Sequence, residues 1–244
     1  MDPAQLDNRH WHNIVILTGA GISAESGLGT FRGAGGVWEQ QRVEEVATPE
    51  AFARDPDLVY RFYNARREHL CSGEVQPNAA HRSLAALEQG FAGQFTLVTQ
   101  NVDDLHERGG SQRLYHMHGE LMKMRCQHSG AVYRAPVAFD GSDTCDCCRQ
   151  QGQLRPHVVW FGEMPLYMDE IYALLEGCDL FVAIGTSGNV YPAAGFVQVA
   201  RQAGATTLEI NPEVTEGSSL FEYQWRGPAT EQVPRLQALL MPAI

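Results

Sequence analysis

Positive charge is scarce in this chain. Its 18 Lys and Arg stand against 29 Asp and Glu, a net charge of −11. That balance gives no general attraction to phosphate backbones or anionic lipid, so neither nucleic acid nor a membrane is expected as a primary partner. Long apolar runs are also missing: no stretch reaches the roughly 20 residues needed to span a bilayer. Met1 to His12 is polar and holds no apolar run of signal-peptide length. There is no internal repeat and no low-complexity tract. Cysteines are few, six in all, and three of them crowd into Cys145, Cys147 and Cys148, a spacing that suits a metal better than a set of disulfides. A reducing, cytoplasmic location is the expectation. What is present is 244 residues with 44% hydrophobic and 19% charged content, enough to bury a core as one large domain or one domain carrying a smaller one. Small molecules and proteins remain as partners.

Asn13 to Thr18 is a short β-branched apolar run that meets a glycine at Gly19, the usual end of a buried parallel strand. Gln94 to Thr99, Asp179 to Gly185 and Thr206 to Asn211 repeat the pattern, each followed by polar or glycine residues instead of a hairpin turn. Helix-length patterns over Pro77 to Gln89, Asp169 to Leu175 and Ala193 to Ala203 lie between them. Strands alternating with helices predict an α/β fold, a Rossmann-like parallel sheet. Two stretches break the alternation: a helical piece from about Val43 to Leu70 and a turn-rich piece from Cys126 to Gly152 that holds four cysteines. They are read as a smaller inserted helical and metal-binding domain, about residues 41–76 and 121–154, with the Rossmann-like part over about 1–40, 77–120 and 155–244. Glu231 to Leu240 reads as a closing helix.

Gly19-Ala20-Gly21-Ile22-Ser23-Ala24 follows the first strand and matches G-x-G-x-x-G/A, in which glycines let backbone approach a pyrophosphate at a helix start. The same glycines can also serve merely as a tight turn. Glu25-Ser26-Gly27-Leu28-Gly29-Thr30-Phe31-Arg32 then extends the turn into a long polar loop where a dehydrogenase would enter its first helix. Thr99-Gln100-Asn101-Val102-Asp103-Asp104-Leu105-His106 leaves the second strand at its carboxyl end and offers an amide beside carboxylates. Asn101 and Asp103 can equally cap the next helix. His116-Met117-His118-Gly119-Glu120 comes soon after.

These motifs, taken in order with Gly185-Thr186-Ser187 and Asn211, resemble those of the sirtuins, over Asn13 to about Ala229, and most closely the bacterial deacylases grouped with the mitochondrial desuccinylase branch. The resemblance implies an NAD-dependent protein-lysine deacylase. The acyl-lysine amide oxygen would attack the ribose carbon bearing nicotinamide, and His118 would act as general base on a ribose hydroxyl, since imidazole titrates near neutrality. Deacylated lysine, nicotinamide and O-acyl-ADP-ribose would result. NAD+ would be held from the first loop by Gly19, Ala20, Gly21, Ser23, Ala24, Glu25, Thr30, Phe31, Arg32 and Trp38. Gln100, Asn101, Val102 and Asp103 would hold the nicotinamide and ribose, and Gly185, Thr186, Ser187, Asn211, Pro212, Glu213 and Ala229 the remainder. His116 is read as structural, facing away from His118. Where the family has Gly-Ile-Pro-Thr, this chain has Gly27-Leu28-Gly29-Thr30, and glycine for proline should loosen the loop before NAD+ binds. An ADP-ribosyltransferase shares the cofactor residues, and an NAD-sensing module would need no general base.

The same resemblance gives Tyr63 and Arg66 a role. On the residues alone they are a core aromatic and a solvated charge. Three positions apart on a helix, they share a face, and the Tyr-x-x-Arg pair resembles the signature of sirtuins that remove succinyl or malonyl groups, with a small residue at Ala47 leaving room. Guanidinium and phenol together suit a carboxylate. Acylated proteins would be the partners, laid as an added strand near Val158, Trp160, Phe161 and Gly162. Cys126, Cys145 and Cys148 look like three of the four thiolates of the family's structural Zn2+ site, with Ser129 where another cysteine usually falls and Cys147, His128 or water as the fourth ligand.

Overall fold

The computed structural model describes residues 6, 10–29 and 43–241. Its elements run β1 (Asn13–Thr18), α1 (Val43–Val46), α2 (Pro49–Arg54), α3 (Pro56–Cys71), α4 (Ala79–Gly90), β2 (Gln94–Thr99), α5 (Leu105–Arg108), β3 (Leu114–His116) and β4 (Gly119–Cys126). The order continues with β5 (Val132–Arg134), β6 (Leu154–Val158), α6 (Met168–Gly177), β7 (Leu180–Ile184), α7 (Phe196–Gln202), β8 (Thr206–Asn211), β9 (Tyr223–Arg226) and α8 (Ala229–Leu240).

Successive side chains of a strand point to opposite faces, so a strand apolar at every position must be covered on both. In β1, Ile14 and Ile16 pack in one core with Leu84 and Leu87 of α4 and Val233 and Leu236 of α8. Val15 and Leu17 pack in another with Ile171 and Leu175 of α6 and Phe196 and Val197 of α7. The four predicted strands are all found in one six-stranded parallel sheet of order β3-β2-β1-β7-β8-β9. Its edge strands β3 and β9 escape the sequence reading because three and four residues are too few to reveal a period. The chain works outward from β1 to β3 and returns to β7 on the other side of β1. The order therefore reverses between β1 and β7, and the crevice at their carboxyl ends is where an open sheet binds its ligand.

Two expectations change in detail. The helical stretch is three helices, because two capped, proline-started breaks interrupt it. Thr48 Oγ1 accepts from Ala51 N at 3.0 Å ahead of α2, and Asp55 Oδ1 accepts from Leu58 N at 3.0 Å ahead of α3. The second insertion is not only turns: β5, β4 and β6 form an antiparallel three-stranded sheet. It shares a third core with α3, where Val59, Tyr60, Phe62 and Tyr63 meet Leu121, Leu154 and Trp160. Among the described residues no helix is long and apolar enough to cross a membrane.

Candidate functional site

The loops after β1 and β7 touch backbone to backbone. Gly19 N donates to Ile184 O at 3.0 Å and Gly21 N to Gly185 O at 2.9 Å. A Cβ on Gly21 would fall 2.7 Å from Gly185 Cα, while Gly185 has φ +61° and would place its own Cβ 2.6 Å from Ile22 N. Neither position can carry a side chain without parting the loops. Among the described residues no α-helix follows these glycines directly, in keeping with the loop expected there. Two 3-10 turns, Ala20–Ile22 and Ala24–Ser26, follow instead and end at Gly27 with φ +87°. A left-handed residue so soon cannot propagate a helix, which leaves turn amides in place of a helix dipole to meet a phosphate. Gly21→Ala should weaken NAD+ binding by about tenfold or more, by calorimetric titration, because even about 1.4 kcal/mol of loop strain reaches that factor. Thr30, Phe31, Arg32 and Trp38 lie outside the described residues.

The turn after β2 closes against this loop. Asn101 is buried and donates through Nδ2 to Gly19 O and to Ser23 Oγ, each at 3.2 Å. Asp103, also buried, accepts from Ser23 Oγ at 3.1 Å and from Leu105 N at 3.1 Å. Asp103 thus serves the start of α5 as well as the pocket, whereas the Asn101 side chain reaches back to the glycine loop. Burial pushes the Asp103 carboxyl up to about 6, against the hydrogen bonds from Leu105 and Ser23. Gln100 N donates to Thr18 O, and Val102 O accepts from Leu121 N at 2.7 Å, tying this turn to both sheets.

His118 Nδ1 lies 3.1 Å from Gln100 O. Burial lowers the imidazole below its ordinary value while that bond raises it, and the net direction is down. Gly119 must be glycine: at φ +79° its Cβ would sit 2.1 Å from His157 O. Its close approach lets Val159 N donate to His118 O at 2.8 Å. The expectation that His116 faces away is overturned. His116 closes β3 and His118 follows in the turn before β4, and His116 Nδ1 contacts Asn101 O at 3.0 Å, next along from the carbonyl that holds His118.

On the far side of the crevice Asn211 Nδ2 donates to Thr186 O at 2.7 Å, joining the ends of β7 and β8 beside Ser187. Pro212 and Glu213 are exposed, and Glu213 O accepts from Arg226 at 3.0 Å. Ala229 is buried at the start of α8, and next to it Thr230 Oγ1 donates to Glu25 at 2.6 Å. The Glu25 carboxylate thereby fastens the glycine loop to α8, a tie that crosses 205 positions of sequence and has no local signal.

Tyr63 is buried in α3, and its hydroxyl accepts from Trp160 Nε1 at 3.0 Å, leaving its own proton to donate. Burial lowers the Arg66 guanidinium to about 10, an effect that Tyr63 opposes. The guanidinium donates to Phe62 O at 3.0 Å, and among the described residues no carboxylate pairs with it. Val158 ends β6, buried; Trp160 is a core residue and Phe161 is exposed. Phe161 N donates to Ala47 O at 3.0 Å, and Gly162 turns the chain at φ +89°. One indole thus links Tyr63 to the segment that binds His118 O.

The cysteines fit a metal. Cys126, Cys145, Cys147 and Cys148 place their sulfurs within 4.8 Å of one another, with Cys126 to Cys148 at 3.9 Å and Cys145 to Cys147 at 3.3 Å. Zinc bonds of about 2.3 Å set tetrahedral sulfurs near 3.8 Å apart. Cys147 completes the group, and Ser129 Oγ contacts its sulfur at 3.0 Å. Exposed His128 is not part of it. Cys147→Ser should lower bound zinc from about one per chain toward none and reduce Tm by several degrees. Metal analysis and melting check this, with His128→Ala as the variant that keeps its zinc.

Residues 19–192 match the model of the Sir2 family. The NAD-dependent protein deacylase of Salmonella typhimurium is 58% identical over 91% of this chain and 81% of its own length. That of Shewanella oneidensis is 57% identical over 93% of each. A solved Sir2 homolog–NAD complex is 40% identical, with a TM-score of 0.88 over 98% of this chain and 94% of that one. A Sir2–p53 peptide–NAD+ structure is 27% identical with a TM-score of 0.78, covering 95% and 94%. The glycine crossing of β1 and β7, the buried Asn101 and Asp103 and the anchored His118 thus sit in a chain whose length is matched almost end to end, and the chain belongs to the Sir2 family.

Proposed function

We propose that this chain removes acyl groups from protein lysines with NAD+ as co-substrate, taking acetyl, succinyl and malonyl groups. The observation that carries the reading is the anchoring of His118. Its Nδ1–H donates to Gln100 O, so Nε2 keeps the lone pair and can take a proton from a ribose hydroxyl. NAD+, once bound, supplies an electrophilic ribose carbon and nicotinamide as leaving group. Asn101 and Asp103, held by Gly19 and Ser23, orient the reacting end, and the role carried over to Phe31 and Arg32 is to shield it from water. Relatives named NAD-dependent protein deacylase support the activity.

The acidic acyl groups follow from Arg66. A guanidinium in low dielectric without a counter-charge favours an anion, and the adjacent Tyr63 hydroxyl has a proton to give it. Tyr63→Phe should weaken desuccinylation mildly. A substrate peptide lies as an added strand along Val158 to Gly162, its backbone read and its sequence hardly at all. The same reading divides the chain into a cofactor lobe and a smaller lobe over about 41–76 and 121–154, and six cysteines joined in no disulfide suit the cytoplasm. Mass spectrometry of matched acetyl- and succinyl-lysine peptides, with and without NAD+, tests it. Loss of both acyl masses only with NAD+ is the expected result; a peptide that gains ADP-ribose instead would replace deacylation by ribosyl transfer.

A further inference from the structure

Both ring nitrogens of His116 face acceptors. Nδ1 lies 3.0 Å from Asn101 O and Nε2 lies 2.8 Å from Glu107 Oε1. A neutral imidazole has one N–H and cannot fill both bonds, whereas an imidazolium can. The other arrangement would put the proton on Glu107. Its side chain is 37% exposed against 6% for the ring, and water at that carboxylate favours its ionised form. Glu120 of β4 also faces the ring, as do Asp103 before α5 and His106 within it. His106 is held neutral by burial and by the neighbouring His81 and His116. The surroundings of His116 are therefore anionic. Glu107, His116 and Glu120 are close enough to hold a cation, but Lys123 Nζ already occupies Glu120 at 2.6 Å. A proton between Nε2 and Glu107 accounts for the contact without one.

We propose that His116 is a positioning residue that works as a protonated clamp, braced by Glu107, whose Nδ1–H fixes the Asn101 carbonyl and with it the turn from Gln100 to Asp103. Two histidines two positions apart grip consecutive carbonyls of that turn: His118 takes Gln100 O and stays neutral to act as base, and His116 takes Asn101 O and stays charged. Burial works against this charge, and the Glu107 bond and charge outweigh it, so the pKa of His116 is raised. The clamp is complete below that pKa and loses one of its two bonds as pH rises through it. The proposal rests on the NAD+-dependent reading of the site, but its first test does not.

That test is 15N NMR of the full-length, 15N-histidine-labelled protein from neutral to alkaline pH, with the His116 resonances identified by their absence from His116→Gln. Two protonated nitrogens at neutral pH, and a titration moved to lower pH in Glu107→Gln, are expected; a His116 carrying one bare nitrogen at neutral pH overturns the proposal. Kinetics supply the second arm. Glu107→Gln should move the alkaline limb of kcat/KM for NAD+ down by roughly one pH unit, and on that limb raise KM for NAD+ by roughly tenfold with little change in kcat. In His116→Gln, which keeps an uncharged N–H donor, this limb should disappear while activity at neutral pH falls. An alkaline limb that stays in place in both variants sinks the clamp. Should Glu107→Gln fail to fold, the assigned wild-type resonances still decide; should His116→Gln fail, the alkaline limb of Glu107→Gln does. A wild-type enzyme with a charged His116 but no NAD+-dependent deacylation would remove the functional reading and leave the protonation state standing.

Discussion

His118→Ala lowers kcat for deacylation by roughly 10³-fold, the middle to upper range for losing a positioned general base, with little change in Tm. The loss is large because among the described residues no other base is placed to substitute. His106 and His81 are buried and held neutral, His81 down to about 4 by burial and the nearby Arg82. Folding is spared because the His118 ring makes one hydrogen bond, to a loop carbonyl, and the adjoining Gly119 provides the close approach to β6. Quantifying O-acyl-ADP-ribose alongside a thermal melt checks both halves; a variant that unfolds, or one that keeps turnover within about tenfold, contradicts the role. The pH profile carries a sign as well. His118 must be neutral and its pKa is lowered, so it is ready at neutral pH and fails only in acid. Asp103 titrates at about 6, and its ionised form accepts more strongly from both Ser23 and Leu105. Activity should therefore fall as pH drops through about 6, and Asp103→Asn should remove that inflection together with most of the NAD+ affinity.

Arg66→Met loses desuccinylation by about 10²-fold or more, with deacetylation within about threefold of wild type. The asymmetry is the content of the prediction. A succinyl carboxylate entering the pocket would supply the counter-charge that no described residue gives Arg66, and removing the guanidinium strands that anion away from water. A methyl group brings no charge and loses only packing. Paired kcat/KM values on one peptide bearing either acyl group decide it, and equal losses would mean that Arg66 serves the structure of α3 and not the acyl group. The Arg66 guanidinium carbon also lies 3.3 Å from the centre of the Phe62 ring, a contact that Met loses with either substrate, so the ratio of the two kcat/KM values isolates the charge.

How much of this was legible in the residues differs by element. The strands at 13–18, 94–99, 179–185 and 206–211 were readable because burial on both faces demands unbroken apolar runs, and each run ends in glycine or polar residues. The helices between them were readable from their period, to within a few residues. His118 and the Asn101 and Asp103 pair were readable because they sit in short contiguous motifs at strand ends. The loop after Gly21 was readable because the residues that follow are polar and rich in glycine, whereas its two 3-10 turns were not, since the pattern G-x-G-x-x-A constrains how closely two backbones approach and leaves the conformation of the next residues open. The division of Val43 to Leu70 into three helices was written in Thr48-Pro49 and Asp55-Pro56, cap and proline together, a signal available but outweighed by the apolar period.

By itself the sequence determined what local physics encodes: a parallel α/β core, the glycines needed where loops cross, a neutral-pH base, and cysteines grouped for a metal. Tertiary structure alone decided which distant groups meet. Cys147 joins Cys126 only because β4 and the 145–148 turn pack together. Trp160 reaches the Tyr63 hydroxyl across 97 positions, Glu25 reaches Thr230 across 205, and His116 finds Glu107 around the end of α5. Period and turn chemistry are set within a few residues of chain, whereas a hydrogen bond has a reach of about 3 Å and depends on how whole elements pack. The partners that tune this site are for that reason visible only once the chain has folded.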